Sequence, residues 1–301
     1  LKPNQEQTPE AVAVACDVAA HACVCVPLEA LLGLRRQPGP PAAPSVPANF
    51  LKHADEQSVT GLSAVYHAIH NHNLHGTDFT RWGVLGAPRF PGRTVMIPSM
   101  NRFFAEGAWG VSPHMVPHRS LHSLSGTISQ ALKIHGPNFG VGGGNGAADE
   151  SAFVALALLD RQQLPGLWVV VTALEPETAL DENGNGPPNR CVRALALALT
   201  PLCPGWRGLR LTLTMDASAR PIHRDYFKLF RMVEQIGGQR ERGRSVTQPL
   251  QHGARLTLAW AGELRNAECG MWNGKAHDLH SLPYSPSHIP QSAVHEVEMQ
   301  R

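Results

Sequence analysis

The stretch from Phe139 to Gln162 constrains this chain more than any other. Five glycines fall within Gly140–Gly146 (GVGGGNG), between a short apolar segment and a long one. Phe139–Val141 reads as a short strand, and Gly142-Gly143-Gly144 as the tight turn that ends it. Asn145 then opens the best helical pattern in the sequence, Ala147 to Gln162 (AADESAFVALALLDRQ). Asp149 and Glu150 lie in its first turn and Arg161 near its end, as the helix dipole favours. Phe153 to Leu159 is apolar on nearly all sides, which predicts a central, buried helix. Leu167–Ala173 (LWVVVTA) follows as a continuous apolar run of strand length, so both its faces are expected to be covered. Together these elements specify a layered α/β fold.

At 301 residues, 43% of them hydrophobic, the chain can bury a substantial core. Glu10 to Leu34 is rich in Ala and Val at helix-like spacing and is expected to be helical, ending at Gly33. Gln37 to Pro47 (QPGPPAAPSVP) is a Pro-dense linker that excludes helix. Asp55 to Ile69 predicts an amphipathic helix, and Trp82 to Ala87 a short buried strand. Pro88 to Pro117 reads as loop. Ser120 to Ile134 is helical again, broken at Gly136-Pro137. After the turn signal Asp181–Asn189, Cys191–Ala198 and Leu209–Met215 read as strands, the second with clean alternation. Beyond Asp216 the pattern weakens to a helix over Tyr226–Ile236 and a strand over Leu256–Trp260. The tail, Asn273 to Arg301, is rich in Pro, Ser and His and is expected to be poorly ordered. Residues 1–48 form an expected helical segment and linker, 49–215 the main domain, and 216–301 a divergent extension.

Charged residues are 17% of the chain and the net charge is +2, which gives no electrostatic case for nucleic acid or an anionic membrane. The basic cluster Gln239–Arg244 reads as a solvated loop. No segment reaches the roughly 20 apolar residues of a membrane span. The start, LKPNQEQTPE, lacks a signal-peptide pattern, so a cytoplasmic location is expected. Without Met at position 1, the sequence is read as continuing upstream. The 6 cysteines do not form a disulfide scaffold. Cys23 and Cys25 make one Cys-x-Cys pair, with no second pair at zinc spacing. Cys16, Cys191, Cys203 and Cys269 stand mostly in apolar settings and read as buried, reduced thiols.

The run Ser120–Ala173 resembles the amino-terminal half of a β-ketoacyl synthase, a thiolase-like α/β fold. Gly136-Pro137-Asn138-Phe139 is similar to that family's turn before the nucleophile strand. Counting forward, the nucleophilic cysteine position falls on Asn145. Leu167–Ala173 matches the strand after the buried helix, and Cys191–Ala198 resembles the strand of the family's β-hairpin. Upstream, Asp55–Phe104 matches the helix, the WGVLGAPRF strand and a loop with paired Phe. The resemblance runs from about Asn49 to Met215. Two departures stand out. The family's His-Gly-Thr-Gly-Thr motif is absent after Met215, where His252-Gly253 is the nearest string and its context differs. The strand that opens the family's sheet is missing or degenerate.

A cysteine at a helix N-terminus suits condensation, because the dipole and free N–H groups raise its thiolate fraction. Asn145 is no nucleophile and does not titrate, but it offers two donors and one carbonyl acceptor. Two readings stay open: a cap for the helix, or a substrate-facing amide that polarises a thioester or holds a malonyl carboxylate. Gly144, Asn145, Gly146 and Phe104 are the residues expected to border an acyl substrate. A dinucleotide fingerprint fails, because Asn145 stands where the third glycine belongs. His67, His70, His72 and His75 read as a solvated cluster at a helix end, and His114, His118 and His122 as loop histidines, so no metal is expected. No Gly-x-Ser-x-Gly elbow occurs, and Ser123-Leu124-Ser125-Gly126 reads as helix packing. Phe90, Phe103 and Phe104 read as core or loop anchors.

The resemblance implies a non-condensing, chain-length-factor-like subunit of fatty-acid or polyketide-type synthesis, with no cofactor. The alternatives are an acyl-thioester enzyme, either a malonyl decarboxylase or an acyltransferase, and a truncated or decaying synthase. The implied partners are an acyl carrier protein or acyl-CoA thioester, and a second subunit: a homodimer, or a heterodimer with an active ketosynthase. The family pairs near the strand before the nucleophile, here Phe139–Gly143.

Overall fold

A computed structural model describes residues 13–261 except 42, 45, 48, 114, 163, 178–180, 182–184, 187, 216–224, 238–243 and 251–252. In chain order the elements are β1 (Ala13–Pro27), α1 (Leu31–Arg36), α2 (Glu56–Asn71), β2 (Gly83–Pro88), α3 (Arg93–Glu106), α4 (Met115–Arg119), α5 (Ser123–Leu132), β3 (Asn138–Gly140), α6 (Ala147–Gln162), β4 (Leu167–Glu175), β5 (Cys191–Thr200), β6 (Leu209–Met215), α7 (Lys228–Gly237), β7 (Ser245–Pro249) and β8 (Ala254–Trp260). The strands make one 8-stranded sheet in the order β3-β2-β4-β5-β1-β6-β8-β7. β2, β3 and β4 are parallel, and every other neighbouring pair is antiparallel.

Helices cover both faces. On one, α2 and α5 pack on Val84, Trp168, Val170, Ala194, Ala196 and Ala198. On the other, α6 and α7 pack on Leu85, Val169, Val171, Leu195, Leu197 and Leu199. The run Leu167–Leu174 is buried throughout, as its unbroken hydrophobicity requires. β6 alternates buried and half-buried residues and shows the expected period of 2.

Three expectations need correction. Residues 13–27 form a strand, not a helix, and this strand lies inside the sheet. Ala and Val pack on both of its faces, so the apolar pattern carries no period of 2, and the tertiary site overrides local spacing. Second, the supposed loop after Pro88 contains the 14-residue helix α3, with Pro98 inside it. Pro98 has no N–H to give the Thr94 carbonyl, and the helix tolerates that missing bond. Third, a strand not expected at all, β7, pairs with β8, which joins the sheet beside β6. The tail 273–301 and nearly all of the basic cluster 239–244 lie outside the described residues.

β1 also carries a bulge between Val18 and Ala20. Before it, Cys16 and Val18 face the α6–α7 side. After it, Ala20, Ala22 and Val26 face the α2 side. One extra residue thus lets a single strand feed both cores. β6 pairs only with Ala13–Val18, while β5 follows β1 from Asp17 to Pro27.

Candidate functional site

The carboxyl ends of β2, β3 and β4 converge, and in α/β sheets such ends are where ligands bind. β2 continues into Arg89 and Phe90, whose φ is +50°. The Arg89 N–H donates to the Thr172 carbonyl of β4 at 2.7 Å. β3 continues through Val141, whose N–H donates to the Gly86 carbonyl at 2.8 Å, into the glycine turn. The Phe90 N–H donates to the Gly143 carbonyl at 3.0 Å and ties the two loops together. Gly142 is required twice over: its φ is +78°, and a Cβ there would meet Ala147 at 2.5 Å.

Asn145 stands exposed where this turn enters α6. Its Oδ1 accepts from Arg89 Nε at 2.9 Å. The first intrahelical bond runs from the Glu150 N–H to the Gly146 carbonyl at 2.9 Å. Gly146, not Asn145, is thus the half-in residue, and the Asn145 side-chain oxygen faces a guanidinium rather than the helix N–H groups. The Arg89 guanidinium lies 5.4 Å from the Phe90 ring, 5.5 Å from Tyr226 and 5.9 Å from Phe227. These aromatic faces hold it flat and partly dry.

Behind this pair is a buried polar hub. Gln57 of α2 reaches the strand ends, and its Nε2 donates to the Arg89 carbonyl at 2.9 Å. Its Oε1 accepts from Thr172 Oγ1 at 2.9 Å. The Tyr226 hydroxyl sits 2.7 Å from the carbonyl oxygens of both Ala87 and Thr172 and donates to either. Burial pushes this phenol well above its ordinary pKa, so it stays protonated. To one side, Glu177 accepts from Arg93 Nη1 at 2.7 Å, and its other oxygen is buried with no partner. Burial raises the Glu177 pKa, against the pull of Arg93, Arg89 and Arg190. Three guanidinium groups surround this carboxylate, and the Glu150 carboxylate lies beside Gly142 in the same turn.

Gly144, Asn145 and Gly146 therefore meet at the mouth, with Gly144 opening on free space. Phe104 does not join them. It lies on the last turn of α3, 76% exposed, with its ring packed on Phe103. The helix separates it from Arg93 by ~16 Å. Nor are Phe103 and Phe104 core residues. Sequence reading missed Arg89, Gln57, Tyr226 and Glu177, because their side chains converge only through the sheet. The one local signal was the string Pro88-Arg89-Phe90 directly after a buried strand.

The thiols differ from expectation too. Cys16 alone is buried, while Cys23, Cys25 and Cys203 are exposed and Cys191 is half-buried. Cys191 opens β5 opposite Glu175, but burial and the Cys25 thiol raise its pKa to about 11, which keeps it protonated. Cys269 lies outside the described residues. The histidines scatter into pairs: His21 with His72, His70 with His75, and His53 with His118. His118 belongs to α4, and His122 precedes α5, so they share no helix. Among the described residues no group of three or more side chains could hold a metal ion, and no helix is long and apolar enough to cross a membrane.

No protein-family model matches the chain, and no curated protein matches it in sequence. Solved structures do match in shape. The ishigamide ketosynthase/chain length factor is similar with a TM-score of 0.55 and 13% identity, covering 83% of this chain and 100% of that one. A ketosynthase in complex with its chain length factor from Xenorhabdus doucetiae gives 0.51 and 13%, covering 82% and 99%. A type II polyketide synthase acyl-carrier protein in complex with its ketosynthase gives 0.46 and 14%, and this chain spans 63% of its matched chain. The mixed α/β sheet with helices on both faces is the thiolase-like fold of the ketosynthases.

Proposed function

We propose that this chain is a non-condensing, chain-length-factor-like subunit of polyketide- or fatty-acid-type synthesis that pairs with an active, cysteine-bearing ketosynthase. One observation carries the reading: Asn145 stands at the mouth of α6, engaged by Arg89, at the position that the resemblance gives to a condensing enzyme's thiolate. An amide at that place accepts no acyl group. Two further observations support it. Among the described residues β3 is an end strand of the sheet, with Phe139 44% exposed, and such an edge can accept a partner strand. The matched chains of the two ketosynthase–chain length factor structures align with this chain over 99% and 100% of their length, which fits a subunit of such a pair. The partner would supply the thiolate and the histidines, and an acyl carrier protein would deliver the substrate. The whole assembly would work in the cytoplasm.

The Arg89 guanidinium beside Asn145 also fits a malonyl carboxylate, which is the basis of a decarboxylase reading. A carboxylate paired with Arg89 is stabilised in its ground state, however, and that opposes loss of CO2. Co-expression with a ketosynthase encoded beside this chain tests the choice. A complex that survives purification and condenses malonyl units, with this chain inactive alone, supports the subunit. Decarboxylation of malonyl-carrier protein by the chain alone, abolished in Asn145→Ala, would replace it with the enzyme.

A further inference from the structure

A second basic site lies away from the Arg89–Asn145 mouth. A cavity of about 170 Å3 opens beside α3 and α4, and Arg102, Arg119, His53, His118, Ser99 and Ser112 line it. No acidic side chain is among its described lining residues, although the Glu106 carboxylate lies against one of them, Gly110, at its rim. Arg119 is the informative member. Its Nη1 is buried and makes no hydrogen bond. A buried guanidinium N–H without an acceptor costs about 1–3 kcal/mol, so this guanidinium, which lines the cavity, gains from any acceptor that reaches it. Packing fixes its position. At Gly92, φ +69°, a Cβ would meet the Arg119 Cβ at 2.9 Å, so α4 is pressed against the start of α3.

The nearby carboxylates leave Arg119 its donor. Asp55 Oδ1 accepts from the Ser58 N–H at 2.6 Å, and Glu56 Oε1 accepts from Thr94 Oγ1 at 2.7 Å. Arg35 shares their field and places its own Nη1 on the Leu51 and Ala54 carbonyls at 2.9 and 2.5 Å. Burial and the neighbouring Glu56 raise the Asp55 pKa to about 6, and the Arg119 guanidinium pulls it back, so Asp55 stays charged at neutral pH and faces Arg119 from behind the cavity.

We propose that this cavity binds a tetrahedral oxyanion of the phosphate class, free or as a phosphomonoester, with the Arg119 and Arg102 guanidinium groups as its principal donors. Planar guanidinium forks match phosphate oxygens two at a time, and two of them converging supply the charge. His53, His118, Ser99 and Ser112 shape the walls around the anion.

Calorimetric titration of the full chain with inorganic phosphate, at constant ionic strength, tests this. Saturable one-site binding is expected. It should weaken about tenfold or more in Arg102→Gln, whose exposed side chain leaves the fold intact. It should also weaken in Arg119→Lys, which keeps the charge and loses the fork. Glycerol phosphate in place of phosphate separates the sources: tighter binding identifies a phosphomonoester, weaker binding the free ion. No saturable binding up to about 10 mM phosphate, or equal binding by the parent chain and both variants, overturns the proposal.

Discussion

α2 and α6 are helices of 16 residues on opposite faces of one sheet, and their burial inverts their composition. α6 has the more apolar sequence, yet its outer side is open: Ala157 is exposed, and Phe153, Val154 and Leu158 are only partly covered. α2 carries Glu56, Gln57, Ser58, Thr60 and Ser63, yet 13 of its residues are buried. The difference lies in what stands above each helix. Over α2 lie α1 and the Pro-rich stretch: Leu31, Leu51 and Ala54 are buried against it, and Leu34, Ala43, Val46 and Phe50 pack around them. No described element does the same for α6. A helix is therefore as buried as its lid allows, and an apolar helix without one is a surface that a partner can cover.

The largest test of this contrast is a pair of truncations. Leu62→Ala, in α2 at 0% exposure, should cost about 3 kcal/mol in urea unfolding, while Leu158→Ala on α6 should cost less than about 1 kcal/mol. Equal costs would mean that α6 is covered after all. Next, Gln57→Ala removes the link between α2 and the strand ends and should cost about 2 kcal/mol, since it leaves Thr172 Oγ1 and two carbonyls short of partners. A cost near zero would show that the polar face of α2 is merely tolerated. Asp55→Ala removes the α2 cap and should cost about 1 kcal/mol, with Asp55→Asn recovering most of it.

The smallest effect is one of pH. His21 packs on His72 at the end of α2, and burial, then the neighbouring imidazole, lowers its pKa from 6.5 to about 4. The unfolded chain then binds the extra proton between those values, so stability is complete above pH 6.5 and falls as pH drops toward 4. Unfolding midpoints over that range should fall less steeply in His21→Asn than in the parent chain. Parallel curves would place His21 in water.

Much of this was readable from residue order. The spacing of Val59, Leu62, Val65, Tyr66 and Ile69 located α2, and the unbroken run Leu167–Ala173 located a strand covered on both faces. β1 was misread because Ala, Val and Cys lie on both of its faces, so no alternation survives. α3 was misread because Pro98 marks a break in sequence but falls at a position the helix accommodates. The candidate site divides in the same way. The glycine turn and Asn145 are contiguous and could be read directly. Arg89, Gln57, Tyr226 and Glu177 come from four separate segments, and only the parallel strand ends bring them together.

The bulge beside Ala19 has a consequence for how this chain can vary. Because side-chain direction alternates with every residue, that single surplus position is the hinge between two opposite phasings of the strand. Removing Ala19 would leave Val18 opposite Leu199 and Ala20 opposite Ala198, so both phasings survive and only the local kink is lost. Forcing the intact strand into regular pairing would instead turn His21, Cys23 and Cys25 toward α2, so a one-residue difference in length between related chains is expected at this bulge and not elsewhere along β1.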